Sequence, residues 1–249
     1  LYCTPNGDFP HNPEPLPENL KDISNLVVKE KADFGIVVDP DVDRLAFVCE
    51  DGTIFGEEYT LVSVADFVLS KLGGNAVSNL SSTRALSDIT NKHGGEYFAS
   101  SVGEVNVVEK MKETSAIIGG EGNGGIIYPK LHYGRDALVG IALFLTYLSE
   151  KDLSVSELRS SYPNYFISKN KIQLTDSTDM QFIISELANK YSKEKINLID
   201  GLKIDFDEGW VHLRKSNTEP IVRIYSESIS KQKADKLAST FVEEIKSLI

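Results

Sequence analysis

Two periods organise the apolar positions of this chain, one near 3.6 residues and one near two. The first 17 residues, LYCTPNGDFPHNPEPLP, carry neither. Rich in proline and polar residues, they predict a long loop. Leu20, Ile23, Leu26 and Val27 then recur at helical spacing. FGIVVD is a short apolar run rich in β-branched residues and predicts a buried strand; LAFV predicts a second. Glu50-Asp51-Gly52 is a hairpin turn signal leading into Thr53-Ile54-Phe55. Helical spacing returns between Glu58 and Leu72, at Leu61, Val64, Ala65, Val68 and Leu72, and Gly73-Gly74 stops it.

From there to about residue 160, strand and helix alternate. NAVSNL, EYFAS, AIIGG and IIYP read as strands; RALSDITNKH, EVNVVEKMKE and RDALVGIALFLTYLSE read as helices. Such alternation predicts an α/β layer with a largely parallel sheet. Ligands of these sheets bind in loops beyond the carboxyl ends of the strands. The pattern changes at SSYPNYF, residues 160–166, a candidate linker. Beyond it KIQLTD predicts a strand, and Thr178 with Gln181 predicts a capping box. The helix it opens has Ile184, Leu187, Ala188 and Tyr191 on its apolar face. LKIDF, WVHLR and IVRIYSES predict antiparallel strands, and Leu237, Ala238, Phe241, Ile245 and Leu248 mark a last helix. The fold class is therefore α/β with mixed or parallel sheets, followed by a small α+β C-terminal domain.

Composition adds limits. Of the 249 residues 41% are hydrophobic and 25% charged, ordinary for a globular chain with a sizeable core. A net charge of −11 argues against nucleic acid or an anionic membrane as partner. An anionic small ligand would need a local cluster of cations. The two cysteines, Cys3 and Cys49, give no disulfide framework and suit a reducing compartment, hence a cytoplasmic location. No apolar run reaches membrane-spanning length. The start at Leu1 rather than at a methionine sets the expectation of a fragment.

Three loops carry candidate chemistry. DPDVDR places Asp39, Asp41 and Asp43 at alternate positions, with Arg44 directly after. Three carboxylates this close repel one another unless a cation neutralises them. All-oxygen ligation suits Mg²⁺ or Ca²⁺. An EF-hand also places acids at Asp39, Asp41, Asp43 and Glu50, but Arg44 stands where that loop needs glycine, and the flanks read as strands. The bland alternative is a solvated acidic turn. GGEGNGG, residues 119–125, follows a strand; Glu121 beside Asn123 suits acceptance of hydrogen bonds from sugar hydroxyls, though glycine-rich turns are mostly only turns. RKSNTEPIVR offers Arg214, Lys215, Ser216, Asn217, Thr218 and Arg223, a dense set of anion donors in an acidic chain. A basic surface turn is its alternative.

In this order the three loops, with FPHNPEPLPENL before them, resemble the α-D-phosphohexomutase family over nearly the whole chain. The resemblance implies the C-terminal part of domain two (residues 1–55), domain three (56–162) and domain four (163–249), without the first domain that carries the catalytic serine. It implies Mg²⁺ on Asp39, Asp41 and Asp43, and charge stabilisation at the transferring phosphoryl group by Arg44 as catalytic residue. Arg84 of LSSTR, Gly103, Glu121, Asn123 and Arg135 would contact the sugar phosphate. Arg214, Ser216, Asn217, Thr218 and Arg223 would grip the phosphate that is not transferred. The expected reaction interconverts hexose 6-phosphate and hexose 1-phosphate through a bisphosphorylated intermediate. GEGNGG is similar to the sugar loop of archaeal phosphoglucosamine mutases, which makes glucosamine phosphate the first expectation and glucose or mannose phosphate the second. A non-catalytic phosphosugar-binding fragment and a Ca²⁺-binding interaction protein are rivals. Oligomeric state is left open.

The chain departs from the family pattern twice. Pro40 and Val42 stand where the metal loop usually has glycine, and Gly125 stands where many relatives have a histidine proposed as general base. His132 reads as a satisfied surface histidine rather than a replacement base.

Overall fold

The computed structural model describes residues 1–175, 178–216 and 219–249. It divides into two units, Leu1–Pro163 and Asn164–Ile249. In the first, α1 (Lys21–Glu30) packs on an antiparallel hairpin of β1 (Phe34–Val38) and β2 (Leu45–Cys49). β2 is buried throughout. β1 is not the buried strand its β-branched run suggests: Ile36 is 39% and Val38 38% exposed. α1 covers one face of this two-stranded sheet and helices further along the chain cover the other over β2, while Ile36 and Val38 of the edge strand β1 stay part-exposed. An apolar run marks a strand without saying how many of its faces are packed. The turn after β2 forms as expected, with Gly52 at φ 83° and the Asp51 carboxylate accepting from Thr53 N.

α2 (Glu57–Leu72) follows, then β3 (Ala76–Asn79), α3 (Ala85–Lys92), β4 (Tyr97–Ser100), α4 (Glu104–Glu113), β5 (Ile118–Glu121), β6 (Gly125–Ile127) and α5 (Ala137–Lys151). The sheet order is β4-β3-β5-β6, with β3 parallel to both β4 and β5 and β6 antiparallel to β5. The carboxyl ends of three parallel strands therefore share one edge. α2 is buried on nearly every side, which its near-continuous apolar sequence requires. Phe34, Phe47, Phe55 and Phe144 join the hairpin to α5; Phe47 and Phe144 stack at 3.9 Å. Buried Asp66 of α2 accepts hydrogen bonds from His93 (2.6 Å), Tyr147 (2.5 Å) and Tyr162 (3.2 Å).

A short α6 (Val155–Ser160) has no counterpart in the apolar pattern. Its N-terminus is a true capping box, Ser154 with Glu157. The capping box expected at Thr178 and Gln181 does not form. Asp179 caps that helix, α7 (Met180–Lys190), accepting from Gln181 N and Phe182 N. The Thr178 hydroxyl accepts from Thr175 N instead. A carboxylate one residue nearer the helix is the stronger acceptor, and it displaces the hydroxyl.

The second unit begins with β7 (Phe166–Gln173), which starts at the end of the expected linker. β8 (Lys195–Asn197), β9 (Leu202–Phe206), β10 (Gly209–Lys215) and β11 (Ile221–Ser228) complete an antiparallel sheet in the order β7-β11-β10-β9-β8. Alternate residues of these strands, among them Leu202, Ile204, Val211, Leu213, Val222 and Ile224, build a core with α7 and α8 (Lys231–Leu248). The other face carries charged and polar groups in cross-strand rows around buried Trp210, whose Nε1 donates to Glu227 Oε1 (2.8 Å). This is the expected small α+β unit.

Candidate functional site

The acidic loop closes on itself. The buried Asp39 carboxylate accepts from Asp43 N (3.1 Å) and Arg44 N (3.0 Å), and Val42 N donates to Asp39 O (3.1 Å). This wrapping turns alternate side chains to one point: oxygens of Asp39, Asp41 and Asp43 all lie within 4.8 Å of one another. Burial pushes the Asp43 carboxyl up to about 6; the neighbouring carboxylate of Asp39 adds to the shift, and Arg135 opposes it. Asp43 Oδ1 is buried without a hydrogen-bond partner. A dehydrated carboxylate oxygen without a hydrogen bond, in a cluster of three carboxylates, is what a hard divalent cation would satisfy. Nothing at this loop resembles an EF-hand, since Glu50 accepts from Ser156 at the far end of β2. Arg44 donates to Glu14 Oε1 (2.7 Å), while its Nε stands 3.6 Å from Asp39 and 3.8 Å from Asp43. Val42 holds the loop at φ 58°, a left-handed conformation that costs a β-branched residue about 1–2 kcal/mol.

The glycine loop lies against the acidic loop. Leu45 N donates to Gly124 O (3.1 Å), and Arg44 pairs with Gly125 in an isolated bridge. Gly124, at φ 87°, admits this approach: a Cβ there would lie 2.2 Å from Leu45 O. Glu121, at the carboxyl end of β5, is 6% exposed. It accepts from Asn79 Nδ2 (2.8 Å), Gly103 N (3.1 Å) and Arg135 Nη1 (3.1 Å), three of the roughly four acceptor positions a carboxylate has. Asn123 Oδ1 accepts from Gly125 N (3.2 Å). Arg84 precedes α3 in the loop after β3, and Gly103 precedes α4 in the loop after β4. Arg84, Gly103, Glu121 and Asn123 thus gather along the edge where ligands of parallel sheets bind. Arg135 lies against three carboxylates, Asp43, Glu104 and Glu121. His132 donates to Asp136 Oδ2 (2.9 Å) from an exposed side chain.

The arginine loop belongs to the second unit. Arg214 and Arg223 are directly opposed on β10 and β11, and Lys171 of β7 opposes Arg223 in turn. Like charges in direct cross-strand register are unfavourable without an anion or counter-charge. Local acids relieve this partly: Arg223 donates to Glu219 (3.1 Å), and Arg214 Nε is 3.9 Å from Asp200. Ser216 is 7% exposed; its N donates to Ile221 O (2.9 Å) and its hydroxyl accepts from Glu219 N (3.3 Å). Asn217 and Thr218 lie outside the described residues.

Sequence reasoning missed the supporting groups. Glu14 lies in FPHNPEPLPENL, a segment that resembles the family, but nothing in that segment singles it out as a partner of Arg44. Glu58 accepts from Thr83 N (2.8 Å), and its carboxylate fills the space where Gly122 lacks a side chain. Asn79 stood at a strand end, the one signal that pointed to it.

Models of phosphoglucomutase/phosphomannomutase match residues 1–52 (alpha/beta/alpha domain II), 56–165 (alpha/beta/alpha domain III) and 171–244 (C-terminal domain). The chain is 38% identical over 234 residues to a phosphoglucomutase/phosphomannomutase of Thermococcus kodakarensis, covering 92% of this chain and 51% of that protein. It is 33% identical over 254 residues to a probable phosphoglucosamine mutase of Methanopyrus kandleri, covering 100% and 56%. A crystal structure of a phosphoglucomutase/phosphomannomutase family protein from Burkholderia thailandensis superposes with a TM-score of 0.82 at 29% identity, over 96% of this chain and 52% of that one. The chain spans about half the length of the curated relatives it matches. With models aligned to nearly all of its residues, it belongs to the phosphoglucomutase/phosphomannomutase family.

Proposed function

We propose that this chain is the metal-, sugar- and phosphate-binding part of a cytoplasmic phosphohexomutase that interconverts hexose 6-phosphate and hexose 1-phosphate, with glucosamine phosphate as the preferred hexose. The observation that carries the reading is the convergence of Asp39, Asp41 and Asp43, one oxygen buried without a hydrogen-bond partner, on a loop stitched to the glycine loop. Those three carboxylates would hold Mg²⁺, which when bound supplies Lewis-acid polarisation of the transferring phosphoryl group.

The chain's own side chains divide the remaining work. Arg44 lies beside the acidic cluster and offsets negative charge developing there. Glu121 has one acceptor position left for a hydroxyl, and Asn123 stands two residues on. Arg84 and Gly103 line the same sheet edge. Arg214, Ser216 and Arg223 grip the second phosphate, joined in this proposal by Asn217 and Thr218 from the sequence motif. A pair of guanidiniums holds a phosphate whichever way the sugar behind it points, which lets a bisphosphorylated intermediate turn around. Residues 1–55, 56–162 and 163–249 are proposed as the corresponding domains. The name of the Methanopyrus kandleri relative favours the amino sugar. That of the Thermococcus kodakarensis relative supports glucose or mannose phosphate as the second reading. By itself the chain is proposed to bind sugar phosphate without turnover.

Calorimetry tests the grip. Glucosamine 6-phosphate is expected to bind the chain, and Arg214→Ala to weaken it by about tenfold or more, the worth of a charge-assisted phosphate contact. An Arg214→Ala chain indistinguishable from wild type would remove the phosphate-grip assignment. Glucose 6-phosphate in the same assay decides between the two hexose readings.

A further inference from the structure

We propose that Arg135 is a positioning residue that locks the acidic loop to the glycine loop, and that Gly125 lacks a side chain so that the arginine stem can pass. The proposal rests on reading Asp39, Asp41 and Asp43 as a divalent-cation site. Arg135 is 15% exposed at its side chain, and its contacts come from three separate segments. One Nη bonds Asp43 Oδ2 of the acidic loop; the other donates to Glu121 Oε2 of the glycine loop (3.1 Å). Its Nε stands 3.3 Å from Glu104 Oε2, and its backbone N donates to Glu104 Oε1 (2.9 Å). The backbone of Arg135 bridges Ile127 of β6, so the side chain leaves from a fixed point. A Cβ at residue 125 would lie 2.4 Å from Arg135 Cδ and 3.1 Å from its Cγ. Gly125 has no positive φ, so space rather than backbone conformation calls for the glycine there.

The consequence lies in what Asp43 has left. Arg135 occupies Oδ2, while Oδ1 is buried without a hydrogen-bond partner, 3.8 Å from Arg44 Nε. A fork that holds one oxygen restrains the whole Asp43 carboxylate, which stands with those of Asp39 and Asp41 inside a 4.8 Å cluster. Partners that orient ligating carboxylates in this way are worth 10–100-fold in metal affinity. A cation beside the site also repels an incoming ion, which opposes the effect in any variant that deletes the charge. Gly125→Ala resolves the two, since it displaces the fork and leaves the charge.

The test is Mn²⁺ affinity of the 249-residue chain by calorimetry, with folding of each variant checked by circular dichroism. Asp41→Ala is expected to abolish binding. Gly125→Ala and Arg135→Met are each expected to weaken it about tenfold, and the double variant to bind no more weakly than Arg135→Met alone. Loss with Asp41→Ala but wild-type affinity in both Gly125→Ala and Arg135→Met overturns the positioning role and leaves the cation site standing. Additive losses in the double variant overturn the link between Gly125 and Arg135. An Asp41→Ala chain that matches wild type overturns the cation site, and the positioning role with it.

Discussion

His212 sits on β10 with 2% of its surface exposed, and its Nε2–H donates to Asp200 O at 2.7 Å. Burial pushes its pKa down to about 4; the bond to Asp200 opposes this, and the charge of Lys203 adds to it. The sign follows from linkage. Between the ordinary value near 6.5 and about 4 the unfolded chain binds a proton that the folded chain refuses, so stability falls as pH falls through that window. The neutral imidazole is fully favoured above about 6.5, and the loss is complete near pH 4, at about 3 kcal/mol. Urea denaturation at pH 7 and pH 4.5 should show this loss in the wild-type chain and most of it absent in His212→Gln. An equal pH dependence in both would assign the effect to other groups. Nothing in WVHLR foretold this burial, because alternation places His212 on the non-core face of its strand and does not say what covers that face. Asp39, Asp41 and Asp43 were legible for the opposite reason: charge repulsion between alternate residues is a cost that the sequence itself displays.

At the scale of elements, Asp66 ties α2 to the end of α3, to α5 and to Tyr162 after α6, with Lys92 a further 3.8 Å away. Three donors converge on one buried carboxylate, and their phenols are held well above the usual range by burial first and by Asp66 next for Tyr147 and Tyr162. Asp66→Ala leaves those donors unsatisfied and is expected to cost about 3 kcal/mol, read as a lower urea midpoint at unchanged slope. A loss below about 1 kcal/mol would mean water replaces the carboxylate. Helices and strands with strong periodicity were readable from the sequence, and α2, α5 and α8 stand where their apolar positions put them. Short elements were not. α6 spans six residues and offers too few apolar positions for a period, yet its Ser154–Glu157 box was in plain view. The pattern at Thr178 and Gln181 drew the assignment instead, because a motif alone does not reveal a better cap beside it. The reading of β1 as buried failed for lack of any sequence signal for strand neighbours.

At the scale of the molecule, the sequence order of the three loops already implied one function, and the geometry adds how two of them meet. Backbone pairing between Arg44 and Gly125 and the contacts of Arg135 depend on tertiary placement, which no spacing encodes. Whole-molecule charge bears on the cation as well. At a net charge of −11 any added salt relieves self-repulsion, so a stabilisation by Mg²⁺ has two sources that must be told apart. Diffuse screening is nearly saturated at physiological ionic strength, where the Debye length is about 8 Å. Binding at a site continues to stabilise by mass action, about 2.7 kcal/mol at one hundred times the dissociation constant. Thermal melts in about 0.15 M NaCl should therefore shift upward with Mg²⁺ and return with a chelator, while NaCl at matched ionic strength has little effect. Asp41 is exposed, so Asp41→Asn removes one ligating charge without disturbing the core, and it should abolish the shift. A shift that survives Asp41→Asn, or that matched NaCl reproduces, would trace the stabilisation to the charge of the whole chain and not to its acidic loop.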